Sequence, residues 1–119
     1  MANQEIKGND YLVVYNEKEQ TVFFQGTLRL KTTNDYEPVS KLLKSIIDVV
    51  GKQDPILTLD FRELKFINSS GIHALSRFVI DLRKSDQPIR VVGNPKIYWQ
   101  KRSLINFSKL WPKVQVDLS

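Results

Sequence analysis

The chain has 119 residues, 41% hydrophobic and 26% charged, the length and mix of a single globular domain. No apolar run approaches the roughly 20 residues of a membrane-spanning helix, MANQEIKGND lacks the apolar core of a secretory signal, and the lack of cysteine excludes disulfides and thiolate metal sites. The net charge of +5 is uneven, with 7 Lys/Arg against 9 Asp/Glu in residues 1–61 and 11 against 4 in residues 62–119.

YLVVY (11–15) and TVFFQGTL (21–28) are rich in β-branched and aromatic residues and flank the polar NEKEQ, so they read as two antiparallel strands. TTNDYEP then supplies the N-cap candidates Thr33, Asn34 and Asp35, with Glu37 and Pro38 suited to a first helical turn. Val39, Leu42, Leu43, Ile46, Ile47 and Val50 fall at offsets of 3, 4, 7, 8 and 11, one apolar face of a helix. Gly51 stands where a left-handed terminating residue belongs. After Asp54-Pro55, the dense apolar run of DPILTLDF (54–61) suits an interior strand. Ile72, Leu75, Val79 and Leu82, with Ala74 and Phe78 beside them, predict a second helix ending near Lys84. IRVVG (89–93) predicts another interior strand, Pro95 a helix start carrying Ile97, Tyr98, Leu104 and Ile105, and VQVDL (114–118) a last short strand. No repeat or linker divides the chain, so one domain spans 1–119. The order β-β-α-β-α-β-α-β implies an α/β fold with a mixed sheet: an antiparallel N-terminal hairpin, then parallel strands with crossover helices.

Between the strand at 54–61 and the second helix stands the turn Asn68-Ser69-Ser70-Gly71. Asn68 or Ser69 can cap the helix by accepting a free N–H, and Gly71 permits close packing in the first turn. Capping alone does not account for two successive hydroxyls, and the Glu or Gln of a capping box is missing. With Ser69 as the cap, Ser70 lies in the first turn, at the positive end of the helix dipole. A phosphate there meets unpaired N–H groups and adds roughly −1.5 to −2 charges to the surface. His73, the only histidine, follows Ser70 by three positions and raises the alternative of a hydrolytic pair. A nucleophile elbow needs glycine where Asn68 stands, and no carboxylate nearby in sequence orients His73. No catalytic residue is assigned.

The run LTLDFRELKFINSSGIHALSRFVIDLRK (57–84) resembles the central segment of STAS domains, the family of sulphate transporters and anti-sigma factor antagonists. There an apolar strand ends in Asp, a loop carries an aromatic or apolar pair, and Asp-Ser-Ser-Gly or Asp-Ser-Thr-Gly opens a helix. Leu57–Asp60 match the strand, Phe66-Ile67 the pair, and Asn68-Ser69-Ser70-Gly71 the switch turn. The opening hairpin, Gly26, IRVVG and the helix from Pro95 to Phe107 match more loosely. The lack of a membrane span, signal and cysteine makes cytoplasmic the expected location, and no cofactor or metal is expected. The resemblance implies a non-enzymatic anti-sigma factor antagonist acting in signal transduction and transcription regulation by partner switching. A cognate serine kinase with an ATPase-type domain, itself anti-sigma-like, would phosphorylate and release it, and a PP2C-type phosphatase would reset it. Ser70 is then the implied phosphoacceptor, Ser69 its capping neighbour, and the face bearing His73 and Arg77 the docking surface. The pattern departs at Asn68, where the usual residue is Asp, which removes a negative charge beside the acceptor. Many members carry a further helix after the last strand, so Leu110 and Trp111 are candidates for self-association as a homodimer.

Two other classes compete. A constitutive, unphosphorylated STAS scaffold or ligand-binding module needs no switch. Lys96, Lys101, Arg102, Lys109 and Lys113 lie among Tyr98, Trp99, Phe107 and Trp111, an interleaving that can serve single-stranded nucleic acid. The same aromatics must also cover the sheet, however, and basic residues are often only a solvated face. Metal chemistry has one His, no Cys and no H-E-x-x-H to work with, and G-x-G-x-x-G and the P-loop are both missing.

Overall fold

A computed structural model describes residues 4–50 and 56–118. Its six strands form one sheet in chain order: β1 (Gln4–Lys7), β2 (Tyr11–Asn16), β3 (Thr21–Leu28), β4 (Leu57–Ile67), β5 (Ile89–Gly93) and β6 (Val114–Leu118). The first two pairings are antiparallel and the last three parallel. The parallel steps are bridged by α1 (Glu37–Val50), α2 (Ser69–Lys84) and α3 (Tyr98–Leu110). Each step advances in the same direction across the sheet, and such crossovers are right-handed, so the helices share one face. In that layer α2 packs against both α1 and α3. The hairpin-then-crossover order expected from periodicity is present. The addition is β1, a polar edge strand whose QEIK sequence buries only Ile6 in part, too little apolar content to register as a strand.

Alternate strand residues point beneath the helices. Val13, Val22, Phe24, Leu59, Phe61 and Val91 are each at most 1% exposed. Phe24 stacks on Phe61 at 4.5 Å between centroids, and Trp99 meets Phe61 edge-on at 6.0 Å. Burying an aliphatic or aromatic side chain of this size stabilises the fold by roughly 1.5–3 kcal/mol. Glycine is required at Gly26, where φ is +86° and a Cβ would run into the Asp10 carbonyl oxygen.

Strand β4 runs further than the apolar run predicts, to Ile67 rather than Phe61. Two register shifts against β3, between Phe23 and Gln25 and between Gly26 and Thr27, absorb its extra residues; such bulges bend a strand and re-aim its side chains. β5 pairs only with Leu57–Asp60. Beyond it, α3 takes over. The fully buried Gln100 donates through Nε2 to the carbonyls of Phe61 and Leu64, and Trp99 Nε1 donates to Leu64 O at 2.9 Å. Gln100 Oε1 in turn accepts from Asn94 N at 2.7 Å.

Several local expectations shift. Thr32, one residue before the expected candidates, caps a 3-10 turn at Thr33–Tyr36 through a reciprocal pair with Asp35, and α1 follows directly. Pro95 lies in a turn, and α3 begins at Tyr98 with Ile97 as an N-cap that offers no side-chain acceptor. Tyr98 (71%) and Ile105 (48%) face outward, whereas Leu104 is in the core. Trp111 is buried and its Nε1 donates to Gln87 O at 2.8 Å, so its ring does not support the expected self-association. Gly51 and Asp54-Pro55, expected to end α1, lie outside the described residues. Among the described residues no helix is long and apolar enough to cross a membrane.

Candidate functional site

The turn between β4 and α2 is held by one side chain. Asn68 is the N-cap, in extended backbone at φ −87°, ψ 177°, and its Oδ1 accepts from Gly71 N at 2.9 Å. The same oxygen accepts from the Tyr36 hydroxyl at 2.8 Å, while Nδ2 donates to Leu30 O at 2.7 Å. Asn68 N donates to Leu28 O, and Leu30 N donates to the Tyr36 hydroxyl. The end of β3 at Leu28, Leu30 just beyond it and the 3-10 turn (Tyr36) are thereby tied to the first turn of α2. Burial raises the pKa of Tyr36 above the ordinary tyrosine value, outweighing the Leu30 N–H, so the hydroxyl remains a donor. Asp at position 68 could accept both bonds but could not donate to the Leu30 carbonyl unless protonated. The departure from the family pattern thus has a local structural reason.

Gly71 belongs to the same arrangement. A Cβ here would lie 2.5 Å from Ile67 Cγ1 and 2.8 Å from the Tyr36 hydroxyl oxygen, so any larger residue presses on the group that bonds Asn68. Ser69 is not the cap: the amide oxygen of Asn68 already occupies that role, which makes Ser69 and Ser70 the first two residues of the helix. Ser69 is exposed and Ser70 half-buried. Among the described residues neither hydroxyl has a hydrogen-bond partner.

His73 and Arg77 are exposed on the next two turns. With Ser69 they are spaced by four residues, which aligns them along one outer face of α2. No hydrogen bond joins Ser70 to His73, and among the described residues no carboxylate pairs with His73 or Arg77. The serine and histidine are therefore not assembled as a hydrolytic pair. The described residues contain no group of three His, Cys, Asp or Glu placed to hold a metal. The cleft between α1 and α2 that Arg77 lines with Glu37, Lys44 and Phe78 measures about 50 Å³, room for a water or two rather than a metabolite. At the mouth of the turn, Phe66 is 44% exposed with the Arg29 guanidinium 6.0 Å from its ring centre, while Ile67 is buried.

Sequence reasoning singled out the turn, His73 and Arg77. It missed Tyr36, Leu30 and Arg29, which lie roughly 30 to 40 residues upstream and carry no motif. A tyrosine just ahead of an amphipathic helix was the one available hint, since a buried ring with a polar tip seeks a partner.

The STAS domain model matches residues 16–116, and the chain belongs to the STAS family, whose regulatory modules are non-catalytic and work by protein–protein interaction. No curated protein matches the chain. Among solved structures, SiaC of Pseudomonas aeruginosa superposes with a TM-score of 0.71 at 13% identity, covering 100% of this chain and 98% of that one. The crystal structure of the diguanylate cyclase SiaD in complex with its activator SiaC, from the same organism, gives 0.71 at 13% identity over 98% and 99%. Apo-SiaC gives 0.62 at 12% identity over 98% and 99%. At such identities the likeness is one of fold. The expected partners, a serine kinase and a PP2C-type phosphatase, are corrected by the same comparison: the partner in the SiaC complex is a diguanylate cyclase.

Proposed function

We propose that this chain is a non-enzymatic docking module that regulates a signalling protein through the outer face of α2. The start of that helix carries the reading. Asn68, Tyr36 and Leu30 fix the first turn, so Ser69, His73 and Arg77 project from a preorganised platform, exposed and without intramolecular partners among the described residues. A surface ordered in advance loses less entropy on binding. SiaC, which shares the fold, is the activator of a diguanylate cyclase, and that enzyme class is the first to test here. His73→Glu combined with Arg77→Glu is expected to weaken binding to a purified diguanylate cyclase from the native cell by about tenfold or more, roughly 1.4 kcal/mol. Surface plasmon resonance measures it, and an unchanged melting temperature excludes misfolding. Equal affinity for the parent and the double variant would remove α2 as the docking face.

A second reading adds regulation by phosphorylation at Ser70. It is supported by a hydroxyl that is partly accessible, unbonded among the described residues and placed at the positive end of a helix. Under this reading Ser70→Asp loses the partner and Ser70→Ala keeps it. Equal binding by all three forms supports a constitutive module instead.

A further inference from the structure

The basic half of the molecule is not explained by docking through α2. Residues 87–116 contain six Lys or Arg and no Asp or Glu. The acidic residues bounding that segment are already engaged: Asp86 pairs with Lys113 at 2.9 Å and Asp117 with Arg90 at 2.9 Å. Among the described residues Lys96, Lys101, Arg102 and Lys109 form no ion pair. Three of these lie on α3. Together with the two exposed apolar residues they form the series Tyr98, Lys101, Arg102, Ile105 and Lys109, spaced at 3, 4, 7 and 11, which is one face of a helix. Every member of the series is exposed. Arg102 donates to the Tyr98 hydroxyl at 2.7 Å, with its guanidinium 5.6 Å from the ring centre, so its charge is held in place but not neutralised.

From this charge pattern we infer that the outer face of α3 is a second docking surface, whose occupant is an acidic segment of a partner protein with an apolar side chain to set against Ile105. The arrangement has an apolar centre, a charged rim and a Tyr–Arg pair, residue types that concentrate binding energy in protein interfaces. It fits other polyanions poorly. Of the four aromatics interleaved with these cations, Phe107 and Trp111 are buried and the Trp99 indole is bonded to Leu64 O, which leaves Tyr98 alone and no platform for successive bases. Two apolar residues are also too few to insert a helix into a lipid surface. Unmatched exposed cations accelerate encounter with an anionic patch and make the affinity depend on salt.

The test uses the full chain and an 18-residue helical peptide bearing glutamates around a leucine stripe, with an all-glutamate peptide of equal charge, a twenty-residue oligo-dT and phosphatidylglycerol vesicles as comparators. The leucine-striped peptide is expected to bind in low salt and to perturb the NMR resonances of α3. Lys101→Glu with Lys109→Glu should weaken it by about tenfold, and Ile105→Ser should weaken it while leaving the all-glutamate peptide unaffected. His73→Glu with Arg77→Glu, the α2 variant, should change nothing, which separates this surface from the other. Binding indifferent to the Lys101 and Lys109 reversals overturns the proposal. So does tighter binding of oligo-dT or of the vesicles than of the striped peptide.

Discussion

The two strand-to-helix junctions on either side of β5 are built in opposite ways. At β4–α2 the residue before the helix does the work, since Asn68 caps Gly71 N and spends its remaining amide capacity on Leu30 and Tyr36. At β5–α3 the residue before the helix, Ile97, has no side-chain acceptor to offer a free N–H. There the helix secures itself from within, sending Trp99 and Gln100 back to the carbonyls of β4. One junction fixes the turn and leaves its first two hydroxyls unbonded among the described residues; the other fixes the inner side of its helix and leaves Tyr98 and the basic stripe outside. Rigidity at a helix start therefore comes from either the cap or the first turn, and whichever is not used is open to solvent and to partners.

Substitutions can break each half of that contrast. The largest effect is expected at Gln100. Replacement by Leu preserves bulk but takes the Gln100 amide from the Phe61 carbonyl and from the N–H of Asn94, leaving Leu64 O to the Trp99 indole alone. An expected loss of about 3 kcal/mol in urea unfolding follows, since each buried polar group left without a partner is costly. Asn68→Ala removes the cap and orphans Leu30 O as well, for an expected loss of about 2 kcal/mol. Asn68→Asp restores the family residue and retains the cap but loses the donation to Leu30; about 1 kcal/mol is expected, and equal stability of Asn and Asp would show that this bond contributes nothing.

Tyr36→Phe is expected to cost no more than Asn68→Asp, about 1 kcal/mol near neutral pH, and its signature is a pH profile. Burial raises the folded-state pKa of Tyr36. Its contribution is therefore complete below the ordinary tyrosine value of 10.0 and is lost as the pH climbs through the raised value. Thermal melts across that range should fall less steeply for the variant than for the parent. Some decline remains in both, because burial raises Tyr15 in the same direction.

Much of this architecture was legible where periodicity was strong. The apolar face of α1 and the stripe from Ile72 to Leu82 could hardly be other than helices, and the turn Asn68–Gly71 announced a helix start. What escaped has physical reasons. QEIK has too little apolar content to mark a strand, and residues 62–67 lose their alternation because β4 bulges twice against β3. Position 100 holds a glutamine, an ordinary helix former, and its burial follows only from β5 being shorter than β4. The choice between Asn68 and Ser69 as cap could not be settled locally, since the deciding partners, Tyr36 and Leu30, come from another part of the chain.

The side-chain cover that α3 lays over the far end of β4 has one more consequence. A strand that outruns its neighbour exposes carbonyls that an extended segment of another molecule can recruit, the usual start of unwanted assembly. By occupying the acceptors of Phe61 and Leu64, a buried amide and an indole close that edge to invasion, so the chain keeps a long bent strand without the aggregation hazard that such a strand normally brings.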